Sequence, residues 1–360
     1  MPITSQEITD LAREYSKKFL LPAESPRGIF DVVTRGEKLS KTGTFDYWEK
    51  LRRPRAGAVG TGGYTAGGTL TVTSALPFYV NAIIQMVNVK YRITAINATG
   101  LVLTLAVVNG TDADRAAGVV ITVLTNAIAE GGGGVINARN PEVKRTNTTQ
   151  IMFDIMQISK SAGLSAQEVD GKEFAKQLAD KMAQFRNDTR GLLWSDYYEA
   201  ADTKGDIAIA GGIPHYVHAN GYNPTATALN AVNLSEFVRH LYDNIGATPK
   251  ELWMNPVDRA TISTTFDATF FRRDADSTRR GVVAETFMTT NGVELTIHTD
   301  VKIPANTIYC LNSKDVVIRP FRDLAVTPVA TLTDTDDFKI VAELSCEINP
   351  SSQMGRFRIS

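Results

Sequence analysis

The stretch Asp170–Leu192, DGKEFAKQLADKMAQFRNDTRGL, sets the architecture of this chain. Phe174, Leu178, Met182, Phe185, Thr189 and Leu192 recur at steps of four, four, three, four and three. That period places one stripe on one side of an α-helix, with Lys172, Lys176 and Asp180 on another side. Asp170 and Glu173 have capping-box spacing. Continued to about Tyr198, the helix would run about 28 residues, or about 42 Å at 1.5 Å per residue. Such a helix is long for a globular protein, and its amphipathic pattern lays one side on a core.

The surface it needs is legible further on. Phe338, Ile340, Ala342, Leu344, Cys346 and Ile348 alternate with Lys339, Glu343, Ser345 and Glu347, broken only by Val341. Period-two alternation predicts a half-buried antiparallel strand. Shorter strands are expected at Leu252–Met254, Val293–Thr299, Thr307–Leu311 and Val316–Arg319. Asn233 and Glu236 predict a capped helix carrying Phe237, Val238, Leu241 and Ile245 and stopped by Gly246 and Pro249. Pro256 suits the first turn of another helix.

Between residues 56 and 137 the composition changes. This segment holds 3 basic and 3 acidic residues but 13 of the chain's 27 glycines. It opens on Gly57–Gly68 (GAVGTGGYTAGG) and closes on the glycine run at 131–134. Two glycine-rich boundaries around a charge-poor block read as an inserted domain. Thr69–Thr73, Val89–Ile96, Leu101–Val108 and Val119–Leu124 are rich in β-branched residues, and Asn97–Gly100 is a turn between two of them. Four or five such strands predict a small barrel or sandwich.

Ahead of the body, Thr4 and Glu7 cap a short predicted helix with Ile8, Leu11, Tyr15 and Phe19 on one side, followed by Pro22 and Pro26. This reads as an arm that needs another surface to bury its stripe.

Whole-chain quantities exclude several classes. At roughly 150 residues per domain, 360 residues make two or three domains. The net charge of −1 lacks the basic excess of a free nucleic-acid binder. It is distributed as 11 basic against 8 acidic residues in 1–55 and 24 against 28 in 138–360, with balance between. Two cysteines, Cys310 and Cys346, exclude a disulfide scaffold and a four-cysteine zinc site. The N-terminus has no signal-peptide pattern, and no apolar run approaches a membrane span, so a soluble intracellular setting is expected.

Motifs for catalysis are absent: no G-x-S-x-G, H-E-x-x-H, C-x-x-C or phosphate loop. The glycine run at 131–134 reads as a hinge. His215 and His218 are metal candidates if helical, but Pro214 and the nearby glycines favour a loop, and a third ligand is missing. The two cysteines read as buried thiols. Two basic clusters, Arg52, Arg53 and Arg55, and Arg272, Arg273, Arg279 and Arg280, are either interface contacts or solvated charge. No catalytic, cofactor or metal site is expected, and a structural or interaction protein is favoured over an enzyme.

The ordered set of segments resembles the major capsid proteins of tailed bacteriophages with the Hong Kong 97-type fold, and most closely the SU-ten-like family. The residues that carry the resemblance are Thr44–Leu51 (TFDYWEKL), Ala129–Gly131, Asn147–Phe153 (NTTQIMF), the helix within Lys172–Arg190, and Trp253–Phe266 (WMNPVDRATISTTF). Together they span about residues 30–350.

The resemblance implies an α+β capsid fold. Residues 1–35 would be an N-terminal arm, and 36–59 with 137–160 an extended loop. Residues 60–136 would be a small β-barrel-like insertion on that loop. Residues 161–203 and 320–360 would form a peripheral domain with the long spine helix on an antiparallel sheet, and 204–319 an axial domain. The implied function is self-assembly into hexamers and pentamers of an icosahedral head around double-stranded DNA, without sequence-specific binding. Portal, scaffold and decoration proteins would be its partners, and assembly in the host cytoplasm would place it in the virion capsid. A nanocompartment shell is the alternative from the same fold, and an enzyme with a β accessory domain is a third reading. The assembly contacts expected are Ile8, Leu11, Tyr15, Phe19, Arg52, Arg53, Arg55, Arg272, Arg273, Arg279 and Arg280.

Overall fold

The structure, a computed structural model, describes residues 28–40, 43–51, 54–127, 142–160, 173–200, 206–265, 271–272, 286–290, 292–330 and 333–360. Numbered in chain order, its strands form three sheets and a ribbon.

The first sheet has four strands in the order β1 (Thr34–Arg35), β17 (Val316–Val329), β18 (Thr335–Ile348), β10 (Gln150–Ser159). The long pairs β17–β18 and β18–β10 are antiparallel, and β1 adds in parallel at the edge. Helix α1 (Glu173–Leu193) lies on one side of it: Phe185 and Leu178 pack on Met152, Ile340 and Ala342. This is the helix-on-sheet arrangement expected from the two amphipathic patterns. Phe185, Thr189 and Leu192 are buried, but Met182 is 37% exposed at the edge of the packed stripe.

The helix ends at Leu193 and not near Tyr198. Trp194 turns out of the helical path into a second core, where its ring lies 5.3 Å from Tyr309 and 6.3 Å from Trp253. Gly212 closes over the helix end; a Cβ there would lie 2.5 Å from the Leu192 carbonyl oxygen and 2.6 Å from that of Leu193. A continuing helix would collide with that crossing chain.

A seven-stranded sheet runs β11 (Thr225–Ala226), β19 (Gly355–Ile359), β16 (Thr307–Leu311), β12 (Glu251–Met254), β15 (Glu294–Thr299), β14 (Thr286–Met288), β13 (Phe271–Arg272). The chain's last strand therefore joins this sheet and not the one under α1. Helix α2 (Ile213–Asn220) contains His215 and His218, so the expected loop is a helix. Pro214 starts it instead of breaking it, since a proline in the first turn has no N–H to lose. Helix α3 (Ala231–His240) is capped by Asn230, whose side chain accepts from the Asn233 N–H at 2.7 Å, three residues earlier than the expected cap. Helix α4 (Pro256–Thr265) follows the strand–proline pattern. Phe237, Leu252, Phe287, Ile297 and Phe357 form the core on this sheet.

The inserted block is a six-stranded antiparallel sheet in the order β3 (Ala56–Ala58), β8 (Val120–Asn126), β5 (Ala82–Met86), β6 (Val89–Ile96), β7 (Val102–Asn109), β4 (Thr69–Thr71). It has its own core, including Leu70, Ile84, Tyr91, Ile93 and Leu103. The strands β3 and β5 raise the count above the four or five expected, because a three-residue strand and one interrupted by Gln85 give little alternation to read. The turn at Asn97–Gly100 is present: Gly100 takes φ +74°, and its N–H donates to the Asn97 carbonyl at 2.9 Å.

A separate antiparallel ribbon, β2 (Thr44–Lys50) with β9 (Glu142–Thr148), brackets this block in the chain. The ribbon stops at Thr148, and β10 begins two residues later in the sheet under α1.

Candidate assembly site: the ribbon base and an exposed apolar strand

The ribbon is fastened to the body by buried polar groups. Glu49, on β2, is fully buried. It accepts from Arg145 Nε at 2.8 Å, Ser351 Oγ at 3.0 Å, the Ser352 N–H at 2.7 Å, and the Ser352 hydroxyl. Burial alone would raise its pKa; the hydrogen bonds from Ser352, Arg145 and Ser351 outweigh burial and hold it below the ordinary carboxylate value. Its ionised form is therefore the one the site is built around.

Asn147, on β9, is also fully buried. Its Nδ2 donates to the carbonyls of Cys346 at 2.7 Å and Gly211 at 3.0 Å, and its Oδ1 accepts from the Gly211 N–H at 3.0 Å. One amide thus joins ribbon, β18 and the segment before α2. Thr149 Oγ1 donates to Glu343 at 2.7 Å, and Ser345 Oγ donates to the Thr148 carbonyl at 2.6 Å. These contacts cover the second face of β18. Glu343 and Ser345 are buried, and the half-exposed strand expected from alternation is covered on both faces over this stretch. The Tyr216 hydroxyl donates to the Thr146 carbonyl, and its ring meets Tyr47 edge-on at 6.2 Å. Burial pushes both phenols upward.

A second buried junction lies at the end of α1. Arg190 Nη2 pairs with Asp300 Oδ1 at 2.9 Å, and Asp300 Oδ2 accepts from the Ile29 N–H at 3.1 Å. A Cβ on Gly28 would fall 2.3 Å from Arg190 Nε, so a larger residue there would have to displace the guanidinium that pairs with Asp300. Both cysteines are free and buried. Burial raises Cys310, and raises Cys346 to about 12 against a hydrogen bond from Asn147, so neither is poised as a thiolate.

Large apolar groups remain outside these cores. Ile151, Phe153 and Ile155, alternate residues of the edge strand β10, are 62%, 54% and 44% exposed, and Trp48 on the ribbon is 62% exposed. The opposite residues of β10, Met152 and Met156, are buried. The sequence IMFDIMQI is apolar on both faces, a pattern that predicts burial on both; among the described residues only the Met152 and Met156 face is buried.

Of the expected contact residues, only Arg55 and the Arg272 backbone fall within the described residues. Ile8, Leu11, Tyr15, Phe19, Arg52, Arg53, Arg273, Arg279 and Arg280 lie outside the described residues, as does the Arg272 side chain. Arg272 pairs with Thr286 through β13 and β14, and Arg55 is exposed just before β3. His215 sits against the rings of Tyr216 and Tyr198, and among the described residues no three His, Cys, Asp or Glu side chains form a metal cluster. No described helix is long and apolar enough to cross a membrane. Sequence reading missed Glu49, Asn147 and Asp300, since a lone polar residue in a strand or loop has no local sign that it will be buried.

The chain thus combines a helix across a long antiparallel sheet, a second sheet, and a ribbon that brackets an inserted sheet. The capsid of Myoviridae phage XM1 matches this fold with a TM-score of 0.51 at 7% identity over 98% of each chain. The chain belongs to the SU10 major capsid protein family, whose model matches residues 22–359. Other similar structures are from Mycobacterium phage Bobi (TM-score 0.48, 12% identity, 100% of this chain and 99% of that one) and the capsid of the native GTA particle (TM-score 0.49, 10% identity, 97% and 96%). No curated protein matches the sequence.

Proposed function

We propose that this chain is the subunit of an icosahedral phage head, assembling into hexamers and pentamers around double-stranded DNA. The observation that carries the reading is the exposed stripe Ile151, Phe153 and Ile155 on an edge strand. A strand with a bare apolar face and free backbone groups is a site for another chain. Membership of a capsid family supplies the class of that chain: further copies of the same subunit.

In this reading, residues 1–35 are the arm, 36–59 and 137–149 the extended loop, and 60–136 its insertion. The helix α1 with the four-stranded sheet is the peripheral part, and 204–319 with β19 the axial part. The clusters Arg52, Arg53 and Arg55, and Arg272, Arg273, Arg279 and Arg280, meet neighbouring copies. Portal, scaffold and decoration proteins complete the head, which is built in the host cytoplasm. Each subunit is held by several modest contacts at once, and these reinforce one another. Near-neutral charge suits a shell that encloses DNA without gripping it.

The test is electron microscopy of the expressed protein, alone and with its scaffold. Closed shells are expected; monomers of about 39 kDa under every condition would overturn the proposal.

A further inference from the structure

A cavity of about 840 Å³ lies between α1, the four-stranded sheet and the segment that follows Gly28. Phe30, Val33, Met182, Phe185, Leu324 and Leu344 are among its lining residues, and Arg35, Arg186 and Asp323 stand at it. Met182 and Leu324 are 37% and 39% exposed, so the groove presents bare apolar surface although it runs beside a packed core. It lies on the side of the sheet occupied by α1, where Phe185 and Ala342 also line it, and is separate from the Ile151 stripe.

We propose that this groove is the docking surface for residues 4–19 of the same chain in the unassembled subunit, with Ile8, Leu11, Tyr15 and Phe19 facing into it. Three observations specify that occupant. The first is position. The Ile29 N–H is bound by Asp300, beside Arg190 at the end of α1, and the next residues, Phe30 and Val33, already line the groove. The 27 residues before Gly28 therefore start at the groove's own end. The eight residues 20–27 reach at most about 26–29 Å, which holds the stripe at high local concentration.

The second is length. The groove follows α1 from Ala179 to Thr189, about 15 Å of helix, and the stripe from Ile8 to Phe19 spans about 16 Å. The third is charge. On a helix, Glu7, Asp10 and Glu14 form an acidic row along one flank of the stripe, with Lys18 on the same flank beside Leu11; the groove likewise carries both signs, Arg186 and Arg35 with Asp323 paired to Arg35. Docking covers the apolar lining and sets the acidic row near the guanidinium groups. Reaching a neighbouring copy then requires release from the groove.

Met182→Cys and, separately, Ala183→Cys place a thiol in the groove; Ile151→Cys places one on the other face of the sheet. The native cysteines are buried and contribute little background. Maleimide labelling is followed in the dilute full chain, in the chain lacking residues 1–20, and in the full chain carrying Leu11→Asp. Labelling at 182 and 183 should be about tenfold slower in the full chain than in the other two, as docking of about nine-tenths of the molecules gives. The rate at 151 should be the same in all three. Equal rates at 182 and 183 with and without the arm would overturn the proposal. A Leu11→Cys, Met182→Cys chain should oxidise to a monomer with an internal disulfide. Disulfide-linked dimers would assign the groove to another copy's arm and overturn the same-chain docking. The measurement is made on unassembled protein, so its failure leaves the shell proposal standing, and the absence of shells leaves the docking result standing.

Discussion

Asn147 and Cys346, 199 residues apart, are joined by a 2.7 Å hydrogen bond from the Asn147 amide to the Cys346 carbonyl. The same side chain both donates to and accepts from Gly211. Replacing it with alanine removes the side-chain partners of the buried Cys346 carbonyl and Gly211 N–H, and leaves the Gly211 carbonyl only the weak Cys346 thiol donor, at about 1–3 kcal/mol for each unsatisfied group. Asn147→Ala should therefore lower unfolding stability by about 3 kcal/mol, read from urea denaturation. A change within 0.5 kcal/mol would show that water replaces the amide freely.

The Arg190–Asp300 pair should behave as a buried ion pair, whose single-partner removal costs about 3–5 kcal/mol because the other charge is stranded. Arg190→Met and Asp300→Asn should each destabilise strongly. The double variant should lose less than the sum of the two, since it leaves no stranded charge. Additive losses would contradict direct coupling.

Glu49 gives the chain an acid-sensitive fastening. Its folded pKa lies below the ordinary value of about 4.5. The stabilisation is present above the unfolded pKa and is lost as pH falls through the folded value. Thermal melts of wild type should decline below about pH 4.5 more steeply than those of Glu49→Gln, which is less stable at pH 7. Parallel pH profiles would remove Glu49 as a contributor.

On α1, Phe185→Ala should cost about 3–5 kcal/mol, as for a buried aromatic. Leu178→Ala should cost less, since Leu178 is only partly buried, and Met182→Ala should change chain stability little. Equal losses at the three positions would contradict the packing of this helix.

Phe153→Lys with Ile155→Thr should leave a folded subunit whose unfolding midpoint is close to wild type and whose shells fail to form. These side chains are exposed in the single subunit and bury little on folding. Removing residues 1–20 should likewise leave a folded subunit with impaired assembly. Normal shells from either variant would exclude that element from the contacts, as judged by sedimentation and microscopy.

The sequence alone determined the elements whose pattern is local. The period of Leu178, Phe185, Thr189 and Leu192 specifies a helix with one buried side, and the alternation of Ile340, Ala342 and Cys346 specifies a strand beneath it. The glycine-rich boundaries and β-branched runs specify an inserted sheet, because composition and period are properties of neighbouring residues. Tertiary structure decided what depends on chains that cross. Gly212 and Trp194 end α1 at Leu193. The ribbon base covers Glu343 and Ser345, which alternation assigns to solvent, and buried Glu49, Asn147 and Asp300 find partners from 64 to 303 residues away. A polar side chain carries no local mark of its eventual partner; only the packed fold removes water from it and makes a distant hydrogen bond decisive.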